Sequence, residues 1–181
     1  MHFSELIKAR QSVRAYQNKP VEDDTLKKLI EAVRLAPSAS NSQPWRLILV
    51  TDPDIKARVS HATFSKLISF NKFAPQAPII AVLTIEKVNL VTQIGGRLKD
   101  REFSLIDIGI AAEHFCLQAA ELGLGTCMLG WFDEVAIKKI LHIPGKIRIG
   151  LVITLGYAAE EYPLREKIRK SAEEMCRFNR Y

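Results

Sequence analysis

A chain of 181 residues, 48% hydrophobic and 25% charged, suits one domain with a sizeable core. No apolar run approaches a membrane span, the N-terminus MHFSELIKARQ has no signal-peptide core, and three cysteines lack framework spacing; together these predict a cytoplasmic protein with no membrane partner. The net charge of +6 suggests nucleic acid first, but the basic residues fall into separate groups with no RNA motif, zinc finger or helix-turn-helix, so a small phosphorylated ligand gathered by distant segments fits better.

In chain order, Phe3, Leu6 and Ile7 have helical spacing behind Ser4, a candidate N-cap. In an extended Arg10–Arg14, Arg10, Ser12 and Arg14 share one side while Gln11 and Val13 face the other. Two guanidinium forks flanking a hydroxyl can grip a phosphate, although this motif alone favours a plain pair of surface arginines. Pro20 ends the extended piece, and the acidic start Glu22-Asp23-Asp24 opens an amphipathic helix that runs to about Ala36. Pro37–Trp45 is a loop bracketed by prolines and rich in small hydrogen-bonding residues.

Arg46–Val50 then reads as a strand, Asp52-Pro53-Asp54 turns into a helix, and Ile55–Phe73 has weaker helical character. The β-branched run Ala77–Ile85 predicts a buried strand. Residues 86–101 read as a loop with one helical turn, long enough to serve as a lid. In Phe103–Trp131 the first twenty-odd residues are helical and apolar almost all round except for one stripe of Asp107, His114, Gln118 and Glu121, so this helix belongs in a core or against a second subunit. Glycines 123 and 125 end it, and Thr126–Leu129 follows as a short buried strand closed by Gly130. Asp133 can cap a helix over Val135–Leu141, Ile147–Gly156 is the last strand, and the tail carries Lys167-Ile168-Arg169 and a helix over Ser171–Phe178.

Familiar catalytic patterns are missing. Ile140 stands where a P-loop ending in Gly145-Lys146 needs glycine, and Met128 breaks the dinucleotide fingerprint begun by Gly123 and Gly125. His114 and Cys116 point in nearly opposite directions from one helix and cannot share a metal, so no metal site is expected. Glu113 lies off the polar stripe and needs a partner if buried.

RQSVR, APSASNSQPW, GLGTCMLGWF after the apolar helix, and GY with a later K-I-R, all in that order, resemble the nitroreductase and flavin reductase family over nearly the whole chain. The resemblance implies an α+β fold in one FMN-binding domain, 1–181, with a mixed, mainly antiparallel sheet flanked by helices. It also implies a homodimer packed through the central helix, with FMN sites shared between the copies. Arg10, Gln11, Ser12 and Arg14 would make the first FMN contacts, with Arg10, Lys167 and Arg169 on the phosphate and Arg14 near the pyrimidine edge of the ring. Pro37, Ser38, Ala39 and Asn41 would reach the flavin from the other subunit, Met128, Leu129, Gly130 and Trp131 would line the ring, and Asn71 would touch it.

The implied activity is ping-pong hydride transfer from NADH or NADPH to an electron-poor small-molecule acceptor, such as a nitroaromatic or quinone, with no catalytic side chain required. Two alternatives stay open. One is an FMN-binding relative that performs reductive dehalogenation or flavin breakdown; the other is a non-enzymatic basic binding module.

Overall fold

The computed structural model describes residues 1–65, 69–87 and 101–181. Four strands form one sheet in the order β1 (Trp45–Val50), β2 (Ile79–Ile85), β4 (Arg148–Gly156) and β3 (Gly125–Leu129). Among the described residues all three strand pairings are antiparallel, and the parallel component is one bridge from Ser12 to Thr126 on the outer side of β3.

Alternation along the central strands sorts the core into two layers. Ile79, Ala81, Leu83, Ile153 and Leu155 face α2 (Asp23–Arg34) and α4 (Phe103–Glu121), where Leu29, Val33, Ala111 and Phe115 meet them. Ile80, Val82 and Val152 face the opposite way, onto Val59 of α3 (Pro53–His61), Ile137 of α5 (Glu134–Ile140), and Val13 and Tyr16 of the N-terminal arm. A sheet with both faces covered explains why β2 reads as an unbroken apolar run.

The helix signals hold with local corrections. α1 (Phe3–Ala9) begins two residues earlier than a Ser4 cap implies, because His2 is the N-cap; the His2 N–H donates to Glu5 Oε2 at 3.1 Å. Asp52 and Asp133 cap as predicted, accepting from the Ile55 and Ala136 N–H groups, each at 2.9 Å. α3 stops at His61 rather than running toward Phe73, and residues 66–68 of that stretch lie outside the described residues. The tail helix shrinks to α6 (Ala172–Met175), since only the turn capped by Ser171 has its hydrogen bonds in place. The expected lid is mostly beyond description: residues 88–100 lie outside the described residues.

One carboxylate ties α5 to the sheet. Glu134 accepts from Lys138 Nζ at 2.6 Å and from the Ile149 N–H at 3.0 Å, and the lysine bond chiefly holds its pKa below the usual carboxylate value. A depressed carboxylate contributes stability that is complete above its unfolded pKa, near 4.5, and lost as pH falls through the folded value. Glu134→Gln should therefore lower stability by about 0.5–1 kcal/mol at neutral pH, given the partial exposure. In thermal melts across pH 3–7, the gap from the native chain should close at the acid end; a constant gap contradicts the assignment.

Candidate functional site

The arm at residues 10–16 is the first wall of the site, and four bonds fix it. Val13 N–H donates to the Thr126 carbonyl at 2.8 Å, and the Tyr16 hydroxyl donates to the Val13 carbonyl at 2.8 Å. That hydroxyl also meets Thr154 Oγ1 at 2.6 Å, while Gln17 N–H reaches the Tyr157 carbonyl at 3.0 Å. Burial pushes the Tyr16 phenol well above its ordinary pKa, so the group stays a neutral donor. Val13 and Tyr16 thus point into the core, while Arg10 and Ser12 are half-buried and Arg14 is exposed.

The C-terminal tail returns along this arm. Lys167 Nζ donates to the Arg10 carbonyl at 2.6 Å, and Arg10 Nε stands 3.4 Å from Glu113 Oε1 of α4, the partner that this helix glutamate requires. Arg10, Gln11, Ser12, Arg14, Lys167 and Arg169 all line one cleft of about 290 Å³. Partial burial first, and then the charges of Arg10 and Arg169, lower the Lys167 pKa. Three cations crowd one another there, and an arriving anion would relieve that repulsion. The donor set therefore fits a phosphate group.

Gln11 serves the tail: its amide donates to the Pro163 carbonyl at 3.0 Å and accepts from the Arg165 N–H at 3.1 Å. Arg165 escaped the sequence reading. Its guanidinium donates to the Ser12 carbonyl and lies 5.9 Å over the Tyr162 ring, and the Tyr162 hydroxyl accepts from the Arg14 N–H at 3.0 Å. In the sequence Arg165 is one cation of several in the tail; the signal that singles it out is a contact across 153 positions.

The remaining predicted residues stand elsewhere, and none of them lines the arm–tail cleft among the described residues. Pro37 and Asn41 are exposed on the loop before β1, Ser38 Oγ accepts from the Gln43 N–H at 2.9 Å, and Ala39 N–H donates to Asp107 Oδ1 at 3.0 Å. At the end of β3, Met128 is 37% and Trp131 is 55% exposed, Leu129 is buried, and the space beside Gly130 is open. Asn71 is buried; its amide donates to the Thr63 carbonyl at 3.0 Å and the Trp131 carbonyl at 3.1 Å, so it shapes the turn that presents the indole.

Cysteine chemistry is suppressed here. Burial raises the Cys127 pKa, against the opposing pull of Arg14 and Ser12, and drives that of Cys116 to about 12. No cluster of metal-ligating side chains exists among the described residues.

A second opening of about 590 Å³ runs between α1, α2 and α4. Phe3, Leu6, Leu35, Ile110 and Leu117 line it, with His114 and Gln118 among them; Phe3 is 68% and Leu35 is 62% exposed. The polar stripe of α4 therefore begins at buried Asp107, under the loop, and continues into this groove. Among the described residues, no helix is long and apolar enough to cross a membrane.

Known proteins resemble this chain in sequence and fold. The NADH dehydrogenase of Thermus thermophilus is 28% identical over 181 residues, covering 85% of this chain and 86% of that protein. Among solved structures, the FMN-dependent nitroreductase from Clostridium difficile R20291 is 26% identical, with a TM-score of 0.76 over 97% of this chain and 98% of that one. The nitroreductase family protein from Clostridium novyi NT is 29% identical, with a TM-score of 0.75 over 88% of this chain and 87% of that one. The Nitroreductase family pattern matches residues 7–157. With a four-stranded antiparallel sheet flanked by helices and a match over most of its length, the chain belongs to the nitroreductase family of oxidoreductases.

Proposed function

We infer that the chain is a single-domain, FMN-dependent NAD(P)H oxidoreductase acting on electron-poor acceptors such as nitroaromatics or quinones, as a cytoplasmic homodimer. The observation that carries this is the meeting of Arg10 with Lys167 and Arg169, more than 150 residues further along the chain, around one cleft. FMN, when bound, supplies the redox chemistry, taking a hydride from NADH or NADPH and passing reducing equivalents to the acceptor.

The chain's own work is placement. Arg10, Lys167 and Arg169 hold the phosphate, Ser12 and Gln11 keep the arm against the tail, and Arg14 offers a cation to the electron-rich edge of the ring. Met128, Leu129, Gly130 and Trp131 form the floor, with the exposed indole as an apolar face for a planar acceptor, and Asn71 fixes that turn. Pro37, Ser38, Ala39 and Asn41 are absent from the arm–tail cleft, which supports their serving the site of the second copy. The apolar groove beside α4 supports docking of that copy.

The test is a visible spectrum of the purified protein with FMN added. A flavin spectrum bleached by NADH or NADPH, and re-formed on adding a quinone or nitroaromatic, is expected. Protein that retains no FMN overturns the proposal, and bound FMN that neither nucleotide bleaches removes the nicotinamide donor. Size-exclusion with light scattering should give a dimer; a monomer holding FMN tightly would refute the shared site.

A further inference from the structure

Among the described residues, the buried side-chain polar atoms without a hydrogen-bond partner are Ser42 Oγ and Asp107 Oδ2. Both belong to one place: Ser42 ends the turn Ala39–Asn41, and Asp107 is the α4 residue that anchors it. The Ser42 N–H closes the turn on the Ala39 carbonyl at 3.0 Å, and the Ala39 N–H donates to Asp107 Oδ1 at 3.0 Å. The two residues that carry the orphans are thus linked through the backbone of Ala39. One can donate, and the other, on a carboxylate, accepts.

Leaving two such atoms buried and unsatisfied is costly, and folded proteins seldom do it without a use. The backbone between them is also unusual. Ser40 and Asn41 have φ of 50° and Gln43 has φ of 44°, left-handed values at three non-glycine positions in one short loop. Strain of this kind persists where a further interaction completes the arrangement.

We propose that Asp107 and Ser42 are positioning residues that lock this loop onto bound FMN: seating the flavin turns the Ser42 hydroxyl onto Asp107 Oδ2, and the pair forms with the cofactor and not before it. The proposal rests on the reading that the loop touches the flavin. Asp107 lies on the helix that also borders the apolar groove, so the lock joins the cofactor's position to the interface helix.

A double-mutant cycle on the full chain tests it. FMN dissociation constants are measured by fluorescence quenching for the native chain, Ser42→Ala, Asp107→Ala and the double variant, and melting temperatures for the same four after FMN is removed. Each single change should weaken FMN about five- to tenfold, the size of one lost hydrogen bond. The double variant should be no weaker than the worse single one, while the effects on the FMN-free melts simply add.

Losses of FMN affinity that multiply in the double variant overturn the proposal, as does the same non-additivity in the FMN-free melts. If Asp107→Ala does not fold, the cycle with Asp107→Asn decides, because asparagine keeps an acceptor for the Ala39 N–H while removing the charge; smaller non-additivity of the same sign is then expected. A native chain that takes up no FMN refutes the cofactor reading together with this lock, whereas bound FMN with multiplying losses refutes the lock alone.

Discussion

Replacing Arg10 and Lys167 together by alanine should weaken FMN binding by about two to four orders of magnitude. Each charge-assisted contact to a phosphate is worth roughly 1.5–3 kcal/mol, and about 1.4 kcal/mol is a factor of ten in affinity. Arg10→Ala also leaves Glu113 without its ion partner, and Lys167→Ala removes the bond to the Arg10 carbonyl. Both side effects add to the loss. The pH dependence separates charge from position. In the free protein, partial burial and then Arg10 and Arg169 hold the Lys167 pKa below its ordinary 10.5, and a bound phosphate would raise it. Affinity should therefore fall as pH climbs through the free-state pKa of Lys167, and Lys167→Met should flatten that fall. Titration of FMN fluorescence from pH 7 to 10 reads both effects. An unchanged dissociation constant in the double variant removes the phosphate assignment.

Gly125→Ala should destabilise the fold by about 1–3 kcal/mol, the usual cost of overpacking, and weaken FMN binding with it. A Cβ at this position would stand 2.6 Å from Val13 Cγ2, 2.7 Å from Val13 Cβ and 2.9 Å from Val13 Cγ1. Val13 cannot step aside, because its N–H is bound to Thr126 and its carbonyl to Tyr16. The arm must lift from β3, and Arg10 and Ser12 move with it. Val13→Ala in the same chain removes the two γ-carbon contacts and leaves only the Cβ contact, so the double variant should recover part, and only part, of the melting temperature and of the FMN affinity. A Gly125→Ala protein with native melting and native affinity would show that the arm is not seated as described.

The strands were legible because burial on both faces of the sheet leaves one chemical mark, a β-branched run, and Ile79–Ile85 carries it plainly. Loop chemistry was equally open to reading, since Asp52 and Asp133 declare their caps within three residues. The site was legible in part. Arg10, Lys167 and Arg169 do meet, but what Gln11 and Arg165 do depends on contacts across some 150 positions, which local patterns do not encode. Asn71 was expected at the ring; the structure shows its amide on two carbonyls, a geometric matter that no composition rule contains. Asp107 read as one polar residue of a stripe, and only the loop folded over it distinguishes it from His114 and Gln118.

The pairing of the arm with segments from the far end of the chain has a consequence for biosynthesis. Ser12 waits for Thr126, Tyr16 for Ala158 and Arg10 for Lys167, so an early-made segment finds its place only after much later ones have emerged. A chain halted before Lys167 would have the complete sheet but lack two of the cations, Lys167 and Arg169, that meet at the arm–tail cleft.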